Sequence, residues 1–191
     1  MKPTRYDTLI EQVGVVKPQY IMEVGVWNGE TARRMIREAL RYKNPVEYFG
    51  FDLFEPAPVY EDSASKTPLS KEDIFAKLNS INDTIVHLFK GNTRETLPAE
   101  ILNLPKMDLI WLDGGHSIET VTSDANYCIR LMHPKTVLFF DDYRNDLNLG
   151  CRPFVDALDR AVFNVTILEP VDVFKRSFGR LEVQIARVTL K

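Results

Sequence analysis

Three aspartates occupy positions where chemistry is expected: Asp113 in the run Asp113-Gly-Gly-His-Ser117, and the adjacent pair Asp141 and Asp142. Each follows a short apolar segment, Met107–Leu112 or Thr136–Phe140, that reads as a buried strand. Neighbouring strands lie about 5 Å apart, so three carboxylates at their ends would repel, and some would take up protons unless a cation were present. Mg²⁺ suits a set of carboxylates, waters and a substrate oxygen, and could lower the pKa of a bound hydroxyl. Asp113, Asp141 and Asp142 are therefore a candidate metal set, with Asp113 also a candidate catalytic residue. In the competing reading Asp113 caps the Gly114-Gly115 turn, Asp142 faces solvent and no metal is held. His116 precedes Ser117, the expected N-cap of the next helix, where the dipole disfavours an imidazolium. It reads either as a neutral general base or as a residue that orients its loop. His87, inside a strand, and His133, before Pro134, read as structural.

A second group surrounds Tyr20-Ile-Met-Glu-Val-Gly-Val-Trp-Asn-Gly-Glu30. Tyr20–Val24 suits an internal strand, Gly25 and Gly29 bracket a tight turn, and Thr31–Leu40 reads as an amphipathic helix. A dinucleotide site would show Gly-x-Gly-x-x-Gly here. Glu23-x-Gly-x-x-x-Gly29 instead suits a ligand without phosphate, whose positive amino-acid group would favour a nearby carboxylate. Trp27 could stack on that ligand or simply pack. Asp52, at the tip of the next strand, could accept both hydroxyls of a ribose. Tyr143, Arg144 and Asn145, on the same edge, are weaker candidates for contact with a polar substrate.

The elements that would position these residues alternate. A leading helix from Thr4 to about Val13 precedes strands at Tyr20–Val24, Glu47–Asp52, Thr84–Phe89, Met107–Leu112 and Thr136–Phe140. Helices are expected at Thr31–Leu40, Thr93–Leu102, Ser117–Met132 and Arg152–Phe163, with Ser70-Lys-Glu-Asp73 capping another. Asn164–Leu168 and Arg180–Leu190 read as an antiparallel pair, because no crossover helix fits between them. The fold class is α/β: a Rossmann-like three-layer sandwich, mostly parallel and seven-stranded, with an antiparallel C-terminal strand. One domain over 1–191 is expected, with an N-terminal helix within 1–18 and a candidate lid loop over 53–70. Ligands of such sheets bind beyond the carboxyl ends of the strands, which is where these polar residues fall.

The glycine-turn segment resembles the first motif of class I S-adenosylmethionine-dependent methyltransferases. Ile110-Trp-Leu-Asp-Gly-Gly-His116, Asp124 and Leu138-Phe-Phe-Asp-Asp-Tyr143 further resemble the metal-dependent, macrocin-type sugar O-methyltransferases. The resemblance implies S-adenosylmethionine as cofactor, with Mg²⁺, and a cofactor site of Glu23, Gly25, Trp27, Asn28, Gly29, Asp52, Asn92, Thr93 and Asp113. By the same resemblance Asn92 contacts the adenine edge, although a turn-forming asparagine is an equal reading. Some relatives carry an acid two places after the first ligand as a proposed base; here that place is Gly115, which leaves the role open to His116.

Bulk properties exclude several classes. A net charge of −3 offers no basic field for nucleic acid, and Arg33, Arg34, Arg37 and Arg41 spread over more than one helix face. No apolar run approaches the ~18 residues of a membrane span, so no membrane partner is expected and the cytoplasm is the default location. Cys128 and Cys151 have no disulfide-framework or metal spacing. The expected partner is a small-molecule acceptor, most simply a hydroxylated molecule such as a sugar; a homo-oligomer is left open. Two alternatives stand beside O-methyl transfer: a cofactor-binding module without catalysis, and a NAD-type nucleotide enzyme.

Overall fold

In the computed structural model, which describes residues 3–54, 69–177 and 179–191, the chain forms one seven-stranded sheet between two layers of helices. The strands are β1 Tyr20–Val24, β2 Val46–Asp52, β3 Thr84–Lys90, β4 Met107–Leu112, β5 Met132–Arg144, β6 Phe163–Arg176 and β7 Gly179–Leu190. The helices are α1 Arg5–Val16, α2 Glu30–Ala39, α3 Lys71–Asn79, α4 Thr93–Glu100, α5 Ile118–Arg130 and α6 Arg152–Asp156. Sheet order is β3-β2-β1-β4-β5-β7-β6; β1 to β5 pair in parallel, and β7 runs antiparallel to both β5 and β6. The expected fold class holds.

Each face of the sheet carries its own apolar cluster. Leu9, Val13, Met35, Ile36, Ile74 and Leu78 from α1, α2 and α3 pack on Ile21, Tyr48, Trp111 and Phe139. Leu97, Val121, Cys128 and Val155 from α4, α5 and α6 pack on Met22, Phe51, Leu112 and Phe140. Continuous apolar runs such as Leu109–Leu112 arise because these strands are covered on both sides. Cys128 and Cys151 are buried and free.

Three elements differ from expectation. α6 ends at Asp156 rather than Phe163, since Asp159 builds a turn whose carboxylate accepts from Ala161 N at 2.8 Å. β5 starts at Met132, ahead of Pro134, because Met132 pairs with Met107 across a register shift. β6 continues past Pro170 to Arg176 by shifting register between Leu168 and Asp172, a bulge that redirects the strand. Most of the candidate lid loop over 53–70 lies outside the described residues. Among those described, no helix is long and apolar enough to cross a membrane.

α1 is fastened at both ends of its first turn. The Asp7 carboxylate accepts from the Thr4 backbone N–H at 2.8 Å and its hydroxyl at 2.9 Å, and Arg34 of α2 reaches Asp7 at 2.7 Å. Arg33 and Arg41 pair with Glu30 and Glu38, so Arg33, Arg34 and Arg41 all serve ion pairs within the fold.

Candidate functional site

β1 and β4 are adjacent in space but far apart in sequence, and the sheet reverses its winding between them. A crevice opens there beyond the strand ends. Gly25 follows β1 with φ 91°, and a Cβ on it would sit 2.1 Å from the Asp113 carbonyl oxygen. Only glycine allows the two chains to approach this closely. Asp113 N donates to Val24 O at 2.8 Å and Gly25 N to Phe51 O at 2.8 Å, so the turn continues the sheet.

The crevice has two lobes. One, of about 470 Å³, is lined by Phe51, Asp52, Leu53, Asn92, Thr93 and Thr120. The other, of about 540 Å³, is lined by Thr4, Arg5, Tyr6, Thr31, Arg34 and Asp141, among others. Gly25, Trp27, Asp113 and His116 line both. Both volumes suit small molecules.

Asp52 builds the turn as well as facing the first lobe. Its Oδ2 accepts from Val26 N at 2.7 Å and Trp27 N at 2.8 Å, and Oδ1 from Phe54 N at 2.8 Å. Oδ2 is thereby filled, and Oδ1 keeps one lone-pair site for a ligand. Trp27 is 55% exposed and held at φ 48°, a backbone state uncommon for a bulky residue. Asn92 caps α4, its Oδ1 accepting from Arg94 N at 3.0 Å, while still lining the lobe with Thr93. Asn28 lines the second lobe and accepts from Glu30 N at 3.0 Å. Gly29 lines neither lobe; it starts α2 at φ 68° against Ile74.

Glu23 is 1% exposed, and its carboxylate side accepts from the hydroxyl of Tyr48, itself fully buried. Burial outweighs that hydrogen bond and pushes the Glu23 carboxyl up to about 8. The acid borders the second lobe from beneath.

Asp113, Asp141 and Asp142 line one lobe together, but two of them are already engaged, Asp141 by Arg5 and Asp142 by His116. Asp141, 4% exposed, is gripped by Arg5: Nε donates to Oδ1 at 2.6 Å and Nη2 to Oδ2 at 2.9 Å. Asp142 sits at φ 57°, with its Oδ2 2.6 Å from His116 Nδ1. Asp113 lies beside Tyr6, whose hydroxyl is 3.4 Å from Asp113 Oδ2 and 3.1 Å from Asp141 Oδ2. Among the described residues no three His, Cys, Asp or Glu side chains are disposed to hold a metal ion. A divalent ion does not fit this set as arranged, because both Asp141 oxygens already serve a guanidinium.

The charges settle accordingly. Burial, then the charges of Asp141 and Asp142, raise Asp113 well above the carboxylate range. Burial and the charges of Asp113 and Asp141 likewise keep the Tyr6 phenol protonated and a donor. For Asp142 burial acts upward but the His116 hydrogen bond and charge prevail, holding it below the usual value. The same Asp142 hydrogen bond raises His116 against burial. The neutral imidazole expected from the helix dipole is thus opposed by a carboxylate at contact distance. Gly150 N donates to His116 O at 2.8 Å and Cys151 N to Asp142 O at 3.1 Å, pinning the two residues together.

Other candidates fall elsewhere. Tyr143 donates to Asp156 at 2.8 Å, and Asn145 pairs with Arg180 O and Glu182 N, both at 3.0 Å. With Arg144 they line neither lobe. Asp124 is fully buried under the Gly114 turn, and burial pushes it up to about 6. His87 pairs with Glu47 and His133 with Asp108, as structural residues. Sequence reading missed Arg5, Tyr6, Tyr48, Gly150 and Asp172. Only Gly150, in a Gly-Cys-Arg-Pro turn, carried any local signal.

A glycine turn at the winding reversal, an acid at the end of β2 and an antiparallel closing strand agree with the class I S-adenosylmethionine-dependent methyltransferase arrangement that the sequence resembles. The chain belongs to the methyltransferase-domain family, whose model matches residues 22–143. No curated protein matches it by sequence. Among solved structures it resembles an O-methyltransferase from Bacillus cereus in complex with S-adenosylhomocysteine, with TM-score 0.67 and 18% identity, over 99% of this chain and 82% of that one. It also resembles the O-methyltransferase TomG from Streptomyces achromogenes, with TM-score 0.64 and 14% identity, over 96% and 79%. CalS11, a TDP-rhamnose 3'-O-methyltransferase of calicheamicin biosynthesis, gives TM-score 0.54 and 18% identity, over 95% and 80%. At these identities the likeness carries the fold.

Proposed function

We propose that the chain transfers a methyl group from S-adenosylmethionine to a hydroxyl of a small polar acceptor, a sugar being the first class to test. The observation that carries this is the division of the crevice into two lobes that share Gly25, Trp27, Asp113 and His116. Asp52 would hold the ribose and Asn92 and Thr93 the base in the first lobe, while Gly25, Glu23 and Asn28 would hold the methionine part. The acceptor enters the second lobe, whose Thr4, Arg5, Tyr6, Thr31 and Arg34 offer donors and acceptors.

When bound, the cofactor supplies an already activated methyl, so the chain must orient an acceptor oxygen and handle one proton. His116 takes that proton through the ring nitrogen that Asp142 does not engage, and Asp142 stabilises the imidazolium that forms. The acceptor oxygen would take the methyl, and the carbon–sulfur electron pair would stay on the cofactor's sulfur. Metal assistance is not part of this reading, because Arg5 holds both oxygens of Asp141.

S-adenosylhomocysteine release, followed over a panel of hydroxylated sugars and phenols, tests the reading. Turnover that disappears in His116→Gln supports it. Tight cofactor binding without turnover on any acceptor would favour a binding module instead.

A further inference from the structure

Where three strand-end acids meet, a cation is required, and the cation present belongs to the chain. The Arg5 guanidinium spends Nε and Nη2 on the two oxygens of Asp141 and Nη1 on Asp172 Oδ2 at 2.8 Å. Its Nη2 also lies 3.3 Å from the Tyr6 oxygen, which in turn reaches Asp141. The side chains of Arg5, Asp141 and Asp172 are 11%, 2% and 18% exposed, so the pairs are largely removed from water. Bidentate, desolvated arginine–carboxylate pairs are the strong kind, and removing one partner leaves a costly buried charge. Asp172 holds the guanidinium from behind, delivered there by the β6 register shift.

We infer that Arg5 is the resident cation of this site, standing where metal-dependent relatives would hold a divalent ion, so that methyl transfer here needs no metal. The inference rests on the methyl-transfer reading of the cleft. A dication entering between Asp113 and Asp141 would meet the guanidinium charge and find no free Asp141 oxygen. It would have to expel Arg5, leaving Asp172 unpaired. Asp142 would also have to abandon His116, against a backbone pinned by Cys151 N. Arg5 thereby acts as a positioning residue: it fixes Asp141 and Tyr6, which line the second lobe with His116.

Manganese binding followed by electron paramagnetic resonance tests this, with S-adenosylhomocysteine affinity measured on each protein. Wild type should show no saturable Mn²⁺ binding at submillimolar levels and undiminished turnover in EDTA. Arg5→Gln frees the acids and should bind Mn²⁺ at least about tenfold more tightly, a gain lost in the Arg5→Gln/Asp141→Asn double variant. If Arg5→Gln fails to fold, Asp172→Asn, which only loosens the guanidinium, should show a smaller gain of the same sign. Saturable Mn²⁺ binding by wild type with loss of turnover in EDTA overturns the inference. So does an Arg5→Gln or Asp172→Asn protein that binds cofactor normally yet gains no metal affinity. Failure of wild type to bind S-adenosylhomocysteine would instead sink the methyl-transfer reading, whatever the metal result.

Discussion

Replacing Glu23 by Gln should stabilise the cofactor-free protein, and increasingly so as pH rises. Burial, above all, pushes the folded carboxyl up to about 8 from its ordinary value of 4.5. A carboxyl whose pKa rises on folding holds its proton more tightly when native, so its contribution is fully present below pH 4.5 and lost as pH climbs through 8. At about 1.4 kcal/mol per pKa unit, ionising the unfolded chain while the native acid stays protonated costs about 3 kcal/mol at pH 7 and about 4 at pH 8, against less than 1 at pH 5. Glu23 is 1% exposed, so solvent screening takes little from this. Glutamine keeps an oxygen to accept from Tyr48 and has no charge to bury. For a chain of this size each kcal/mol moves Tm by roughly 2–4 °C. Thermal unfolding of wild type and variant from pH 5 to 8, read as their difference, cancels the other titrating groups. That difference should grow by roughly 6–14 °C across the range. A flat difference would refute the buried-acid reasoning.

Further outcomes follow from the same geometry. Gly25→Ala places a methyl 2.1 Å from Asp113 O at φ 91°, and should cost roughly 2–5 kcal/mol in denaturant unfolding and weaken S-adenosylhomocysteine binding; unchanged values would contradict the close approach. Asp52→Ala should weaken cofactor binding by about 1.5–3 kcal/mol through loss of charge-assisted hydrogen bonds, seen by calorimetry, while unchanged affinity would remove Asp52 from the ribose site. His116 must be neutral to accept a proton, so turnover should fall as pH drops through its raised pKa. Asp142→Asn should move that acid limb to lower pH, and His116→Gln should lower kcat by about 10²–10⁴. A pH profile unaltered in Asp142→Asn would unseat the pair.

Local pattern carried most of the framework. Tyr20–Val24 and Met107–Leu112 were legible to the residue, because strands covered on both faces are mostly apolar, here broken only by Glu23 and Asp108, and are bounded by turn residues. Gly25 and Asp52 were legible because a sharp turn and a strand-end acid have few other uses. The cation of the site was not. Arg5 meets Asp141 across 136 residues and Asp172 across 167, and no spacing near Thr4-Arg-Tyr-Asp7 betrays those contacts. The aspartate trio was legible as a cluster of charge, but electrostatics called for a cation without saying whose. His116 was legible as a polar residue at a strand end, but its pairing with Asp142 was not, because the left-handed turn that aims Asp142 at it is invisible in sequence.

A crystal structure of the complex with S-adenosylhomocysteine, grown in excess magnesium, tests the central claim most directly. The ribose should rest on Asp52 and the sulfur between Gly25 and Asp113, facing His116 and Tyr6, with Arg5 still clasping Asp141. A ligand lying elsewhere, or Arg5 displaced by an ion bound to Asp113, Asp141 and Asp142, would contradict it.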